Sequence, residues 1–275
     1  MKLNSILTSI LILILIYNVF NKTEHFTDNK NAFCLLIRTP SIIWLDFLNT
    51  FTDDYDVYIA IDNVLDDYSD LINKYPNINF VIISDEECQS ANYMNSDFLL
   101  KPIVATDRAY YYFNKIDKKY PHIWFCEDDV FIDNMNIIKN LDNKYPNDDI
   151  ISNRMTINNI GNKEDRWHWQ NLYNRNEIKF QTPLASSMVC IIRISNNLMQ
   201  KIHEYVQEFK TLNYKEFLFH TIAIHNNMSI ATPAELENIT WKIDFEKLNS
   251  KKEYDQLYHP VKDIKKHIEN RNLHP

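Results

Sequence analysis

The chain holds one glycine, Gly161, in 275 residues. Glycine supplies left-handed backbone at no steric cost and lets a main chain close tightly on a phosphate. With a single glycine, the sequence contains neither a GxGxxG dinucleotide turn nor a GxxxxGK(S/T) phosphate loop. Rossmann dehydrogenases and P-loop kinases are excluded on that ground. A phosphorylated ligand in such a chain has its charge met by a metal ion, by Lys and Arg side chains or by helix N-termini.

The stretch HIWFCEDDVFID (His122 to Asp133) raises the next question. Ile123, Trp124, Phe125 and Val130, Phe131, Ile132 read as buried, yet Glu127, Asp128 and Asp129 stand between them. Ionised carboxylates inside a fold are costly unless a cation or hydrogen-bond donors compensate them. In an extended chain alternate side chains share a face, so Glu127 and Asp129 point one way and Asp128 the other. Open α/β sheets bind ligands at the carboxyl ends of their strands. Mg²⁺ or Mn²⁺ typically takes one or two protein carboxylates there and completes its shell with water and substrate phosphates. The rival reading, a solvated turn, is disfavoured by the strand context.

AFCLLIR (Ala32 to Arg38), DVYIAID (Asp56 to Asp62), INFVIIS (Ile78 to Ser84) and HIWFC (His122 to Cys126) read as strands. Helical or loop material lies between them. One helix is predicted over Val104 to Tyr120 with Thr106 as its N-cap. This βα spacing predicts a mostly parallel sheet. No internal repeat and no Pro/Ser-rich linker divides residues 32–275, so one α/β domain is expected. A chain with 45% hydrophobic residues can give it a full core. With 29 basic against 37 acidic residues the net charge is -8, which repels a phosphate backbone and disfavours nucleic acid as a partner.

From Ile6 to Phe20 only Thr8, Ser9 and Asn18 interrupt an apolar run, which with Leu3 to Ser5 nears the ~20 residues that span a bilayer. Tyr17 to Glu24 offers no small-residue cleavage site, so an uncleaved anchor is expected rather than a signal peptide. Lys2 and the α-amino group precede the span, while Lys22 and Lys30 are balanced by Glu24 and Asp28; the amino end is then cytosolic. The expectation is a single-pass type II membrane protein of the ER or Golgi, with residues 1–31 as anchor and stem and a lumenal domain over residues 32–275. Sequons at Asn21, Asn227 and Asn238 fit a secretory glycoprotein. Cys34, Cys88, Cys126 and Cys190 form no CxxC pair, which disfavours a zinc site. Three of them sit in apolar runs as buried thiols; a lumenal setting permits one disulfide, which the spacing does not assign.

A Glu/Asp-x-Asp at the end of an apolar strand, in a domain behind a signal anchor, resembles the DXD motif of GT-A glycosyltransferases. KPIVATDRAYYYF, WFCEDDVFI, YKEFLFHTIAIHN and LYHPVKD, in that order, resemble a small group of membrane-anchored GT-A-like proteins over roughly residues 32–270. The high Asn, Ile and Lys usage fits an AT-rich genome such as that of a large DNA virus. The resemblance implies a Rossmann-like, mixed but mostly parallel sheet flanked by helices, and Mn²⁺ or Mg²⁺ as cofactor. It also implies a nucleotide-sugar donor, with a UDP-sugar favoured over a GDP-sugar, and a glycan or glycoprotein acceptor.

Carried onto this chain, the resemblance makes Glu127 and Asp129 metal ligands and adds His259 from QLYHPVKD. Lys101, Asp107, Arg108, Asp128 and Lys262 become donor-binding residues. Glu216, near the start of the predicted helix in NYKEFLFHTIAIHNN, becomes the catalytic base; a first-turn glutamate is otherwise a helix-dipole partner. Direct displacement with one base implies inversion, although retaining GT-A enzymes exist. Trp167 and Trp169 in the polar segment DRWHWQNLY are acceptor-contact candidates, since sugar C–H faces stack on indole rings; packing of a long loop onto the domain is the other reading. His220 and His225 lie on different faces of a helix, which argues against a chelating pair. Two other classes stay open: a metal-dependent phosphoesterase, which usually needs more converging carboxylates and histidines, and a non-catalytic glycan-binding or structural membrane protein.

Overall fold

Along NAFCLLI, strand β1 (Asn31–Ile37), every side chain after the first is buried. A strand apolar on both faces belongs in the middle of a parallel sheet covered on both sides. The computed structural model, which describes residues 30–97, 101–161, 169–174, 178–244, 246 and 256–272, places β1 there. It pairs in parallel with β2 (Tyr55–Ile61) on one side and β4 (His122–Glu127) on the other, and β3 (Ile78–Val81) pairs in parallel with β2.

The second half of the sheet changes direction. Two short strands, β5 (Ile150–Ile151) and β6 (Thr156–Asn158), are followed by β7 (Leu184–Ser186), β8 (Ile191–Ser195) and β9 (Ile230–Ala231). β8 runs antiparallel to both β4 and β5, and β5 is parallel to β9. The seven-stranded sheet has the order β3-β2-β1-β4-β8-β5-β9, while β6 and β7 form a separate antiparallel pair. The architecture is therefore α/β with a mixed, mostly parallel sheet.

The two-residue period of the strands sorts their side chains into two cores. Phe33, Leu35 and Ile37 face one layer with Trp44 and Leu48 of α1 (Ile42–Asn49) and Ile138 and Leu141 of α5 (Asn136–Lys144). Cys34 and Leu36 face the other, against Tyr110 and Phe113 of α4 (Ala105–Lys115), Ile202 of α7 (Asn196–Phe209) and Phe219 and Ile222 of α8 (Lys215–His225). Short helices α2 (Ser69–Lys74), α3 (Asp85–Ser90) and α6 (Trp169–Asn174) and a last helix, α9 (Ile264–Asn272), complete the description. Serines cap three helices: Ser41 accepts from Trp44 N, Ser84 from Glu87 N and Ser195 from Leu198 N.

The predicted cap of α4 is corrected. Thr106 lies inside the helix, and the N-cap is Val104, whose side chain has no acceptor. Asp107 at the third helical position reaches back instead, accepting from Val104 N at 2.8 Å. A second buried polar device lies at the opposite edge of the sheet. Arg193, fully buried, donates to Asp142 Oδ1 at 2.8 Å, and Asp142 also accepts from Trp124 Nε1 at 3.0 Å and Tyr55 OH at 2.6 Å.

Gly161 sits at φ 65°, where an added Cβ would meet the Tyr173 hydroxyl at 2.7 Å. The other described left-handed positions are Asn92, Asn95, Asn213, Asn227 and Lys210. Asparagine tolerates this region better than most residues, so it serves here where glycine commonly would. All four cysteines are buried free thiols. Among the described residues no helix is long and apolar enough to cross a membrane, and the predicted anchor lies outside them.

Candidate active site

The acidic triplet sits where β4 ends at the carboxyl edge of the sheet. Glu127 is the last strand residue; its N–H donates to Cys190 O at 2.8 Å, and Val130 N returns to Glu127 O at 3.1 Å to close a turn over Asp128 and Asp129. The chain segment after Gln256 pairs with this turn. Phe131 N donates to Tyr258 O at 2.8 Å and Val261 N to Asp129 O at 2.7 Å, which brings His259 across the triplet from more than a hundred residues away. The extended chain expected through the triplet stops at Glu127, and it is the turn after it that leaves Asp129 and Glu127 near one histidine. His259 Nε2 lies 3.3 Å from Asp129 Oδ1 and 4.0 Å from Glu127 Oε2.

The other nitrogen of His259 is already engaged. Nδ1 and Thr240 O are 2.8 Å apart, and a carbonyl can only accept, so Nδ1 carries a proton. Fixing one ring nitrogen on a carbonyl is how proteins orient a metal-binding histidine. Burial works to lower the His259 pKa, but the bond to Asp129 and the charges of Asp129 and Glu127 hold it above its ordinary value. Burial likewise works to raise Asp129, and His259 with Lys262 brings it below the usual carboxylate range. For Asp128, burial, then Asp129 and Glu127, push the pKa up to about 6.

The compensation that the triplet requires includes a residue the sequence did not single out. Lys215, nearly buried at the first position of α8, donates to Glu127 Oε1. Glu127 therefore offers one oxygen to Lys215 and turns the other toward His259. Glu216, the next residue, is 5% exposed and lines the same cleft. Burial foremost, and the Glu216 carboxylate beside it, keep the Tyr214 phenol protonated, so that Tyr214 is the donor in its bond with Glu216.

This cleft of about 320 Å³ is lined by Glu127, Asp129, Cys190, Glu216, His259 and Lys262, among others. A second hollow of about 450 Å³ lies over the ends of β1, β2 and β3, with Arg38, Asp62, Lys101 and Arg108 in its wall. Between them a smaller one of about 210 Å³ shares Arg38 and Asp62 with the second and Glu127, Asp129 and Lys215 with the first. Asp128 lines this bridge. Together they make a trough along the carboxyl edge of the sheet.

Three of the expected site residues need correction. Asp107 does not face a ligand: fully buried, it accepts from Ser96 N at 3.0 Å, Ser96 Oγ at 2.8 Å and Val104 N at 2.8 Å, so its carboxylate is consumed in tying a loop to the start of α4. Arg108 reaches the wall of the second hollow with its donors taken by Ile83 O at 2.8 Å, by Asp62 at 3.2 Å and by Asp85. It fixes those acids rather than presenting an uncommitted cation. Trp169 is 0% exposed and packs edge-on to Phe217 at 6.2 Å with Leu172 and Leu184, so it anchors a loop and cannot stack a sugar. Trp167 lies outside the described residues.

The remaining expected residues stay on the trough. Lys101 pairs with Asp62 Oδ1 at 2.8 Å, and Lys262 stands beside Asp129. His220 is fully buried against Ser152 Oγ at 2.7 Å and His225 is exposed, as their separate helix faces require. The exposed aromatic at the mouth of the cleft is Trp241, 63% accessible. Its sequence context, NITWKID, carries no signal that distinguishes it from the other tryptophans.

No family model matches the sequence, and no curated protein does. Among solved structures the chain is similar to 4-diphosphocytidyl-2C-methyl-D-erythritol synthase from Anaerococcus prevotii, at 12% identity and a TM-score of 0.40 over 76% of this chain and 90% of that one. It is also similar to mouse xyloside xylosyltransferase 1 in its apo form, at 9% identity and a TM-score of 0.36 over 74% of this chain and 85% of that one. At such scores neither overlay bears on what the trough binds, and the chemistry rests on its side chains.

Proposed function

We propose that the trough is the active site of a metal-dependent glycosyltransferase, which moves a sugar from a nucleotide-sugar to a hydroxyl of a glycan or glycoprotein acceptor. The observation that carries this reading is the convergence of Asp129 and Glu127 on His259 Nε2, at 3.3 and 4.0 Å, with the Glu216 carboxylate in the same cleft. The mixed, mostly parallel sheet is the one that the GT-A resemblance implies.

The donor set fits Mn²⁺ or Mg²⁺: two carboxylates and one imidazole leave room for water and diphosphate oxygens, and Mn²⁺ accepts a borderline imidazole ligand. The orientation of His259 by Thr240 O is the observation of fit. When bound, the cation would neutralise charge on the departing nucleotide diphosphate. Lys262 would meet a diphosphate oxygen as a point charge. Lys101 and Asp128, farther along the trough, would hold the nucleoside end of a UDP- or GDP-sugar. Glu216 removes the proton of the acceptor hydroxyl as general base, oriented by the Tyr214 phenol. Trp241 offers its indole face to a sugar. Displacement assisted by one base favours inversion. In this reading residues 1–31 anchor the chain in a secretory membrane with the trough on the lumenal side.

The test is a thermal-shift series with UDP- and GDP-sugars, with and without Mn²⁺, followed by product analysis. Stabilisation that needs both nucleotide-sugar and Mn²⁺, followed by sugar transfer to a hydroxyl, is expected. Hydrolysis alone would favour a phosphoesterase. Stabilisation by glycan without nucleotide would favour a non-catalytic glycan-binding protein.

A further inference from the structure

Glu127, Cys190 and His259 come from three distant parts of the chain, and each brings one donor atom to within 4.8 Å of the others. Glu127 and Cys190 are tied through their backbones, Glu127 N–H donating to Cys190 O at 2.8 Å, and the His259 ring is held by Thr240 O through Nδ1, so Nε2 is the nitrogen aimed at the cluster. Met188, two residues before Cys190, lines the same cleft. Carboxylates and a histidine account for a hard-cation site. They do not call for a thiol at its centre.

We propose that the cleft also takes a soft divalent cation of the zinc and cobalt class, held by the Cys190 sulfur, His259 Nε2 and a Glu127 oxygen. Thiolate ligands select such ions, whereas Mg²⁺ and Mn²⁺ prefer oxygen. Tetrahedral zinc with bonds of about 2.0 to 2.3 Å sets its donor atoms about 3.3 to 3.6 Å apart, so side-chain movement of little more than an ångström closes the cluster from its present spacing. Three protein ligands leave a fourth position for water or Asp129. On binding, the Cys190 S–H bond breaks, its proton goes to solvent and the sulfur lone pair bonds the metal; no electron is transferred. Burial, then the Glu127 carboxylate, hold the Cys190 sulfur as a thiol in the metal-free protein against the opposing Lys215 ammonium, so its proton leaves only as the cation binds. Because Glu127 and His259 belong to both donor sets, a soft ion in the cleft excludes the hard one. The inference rests on the reading of this cleft as a cation site, and it does not require that sugar transfer occur there.

The experiment is a Co²⁺ titration of the full-length protein, purified in detergent and free of nucleotide, read by absorption. A near-ultraviolet thiolate-to-cobalt band with tetrahedral visible bands is expected in the wild type. Cys190→Ser should lose the near-ultraviolet band and keep Mn²⁺-dependent UDP binding. Bound Co²⁺ with no charge-transfer band, or a band that survives in Cys190→Ser, overturns the proposal and leaves the hard-cation site standing. A protein that binds neither Co²⁺ nor Mn²⁺ with UDP overturns both. Should the variant not fold, X-ray absorption of zinc-loaded wild type decides: a sulfur neighbour at about 2.3 Å is expected, and a shell of oxygen and nitrogen alone overturns the proposal.

Discussion

Lys215 and Glu127, 88 positions apart in the chain, form a part-buried ion pair in the wall of the trough, one at the start of α8 and the other at the end of β4. Removing one member leaves the other charge poorly compensated in a partly dry place. Lys215→Met is therefore expected to lower stability by roughly 1–3 kcal/mol, read from a denaturation midpoint. Glu127→Gln should cost a similar amount, and the double variant less than the sum. Additive losses would show that the pair is not coupled. The same Lys215→Met change removes a positive charge beside the carboxylates and should tighten Mn²⁺ binding.

Glu216→Gln keeps the shape of the side chain and its partner Tyr214 while removing basicity. Transfer should fall by ~10²-fold or more, the usual scale for a general base, with Mn²⁺-dependent UDP affinity nearly unchanged. Wild-type turnover in the variant would remove Glu216 from the chemistry. Tyr214→Phe is expected to have a smaller effect in the same direction.

His259→Ala and Asp129→Ala should weaken Mn²⁺-dependent UDP binding to a similar degree, by about tenfold or more, because both atoms face one point. Lys262→Ala should weaken UDP more than uridine. Calorimetry showing the alanine variants binding Mn²⁺ and UDP like the wild type would mean that the segment around His259 serves only to close the fold.

Acid should destabilise the protein through buried histidines, between pH 6.5 and 4. Burial holds His122, His220 and His267 down to about 4, against an ordinary value of 6.5. Between those two pH values the unfolded chain binds protons at these sites that the native state refuses, so stability falls as pH drops from 6.5 toward 4. Asp107, pushed up by burial to about 7, and Asp128, raised to about 6, act in the opposite sense, since the native state binds protons there that the unfolded chain has released. Three sites against two leaves a net loss. Denaturant midpoints between pH 6.5 and 4 should decline, and the decline should be shallower in His220→Gln. An unchanged slope in that variant would place the acid sensitivity elsewhere.

Trp241→Ala should weaken binding of the sugar portion of a substrate while leaving UDP affinity intact, and Trp169→Ala should instead lower stability by about 3–5 kcal/mol, as truncation of a buried aromatic does. Comparing the two variants by denaturation and by ligand titration separates a sugar platform from a core anchor.

The sheet was legible where burial fills both faces of a strand. The predicted starts and ends of the first two strands fall within one residue of β1 and β2, because the apolar runs Ala32 to Ile37 and Val57 to Ile61 leave little choice of register. β5 and β9, two residues each, carry no periodicity to read. In the site, strand geometry places Glu127 but not Asp129: the strand ends at Glu127, and the turn that follows, tied to the segment around His259, brings Asp129 beside the histidine. Lys215 was hidden because its partner depends on how α8 docks against β4, which no local pattern encodes. Asp107 and Arg108 look like a solvent-facing first turn in the sequence. Both turn inward because Val104 cannot cap the helix and because Asp62 and Asp85 converge on the guanidinium. Trp169 stands in a polar context yet packs in the core, while nothing in the context of Trp241 marks it as exposed, since exposure is decided by which loop lies against the core.

Asn213 stands at φ 62°, buried, one residue before Tyr214 and two before Lys215. A left-handed residue at that point turns the chain into α8 so that Tyr214, Lys215 and Glu216 reach the trough in succession. Few side chains tolerate this backbone, and β-branched ones least of all. Mutational drift at position 213 is thereby confined to asparagine, glycine and few others, and a lineage that substitutes a valine or isoleucine there would lose the alignment of three neighbouring side chains through a residue that touches no substrate.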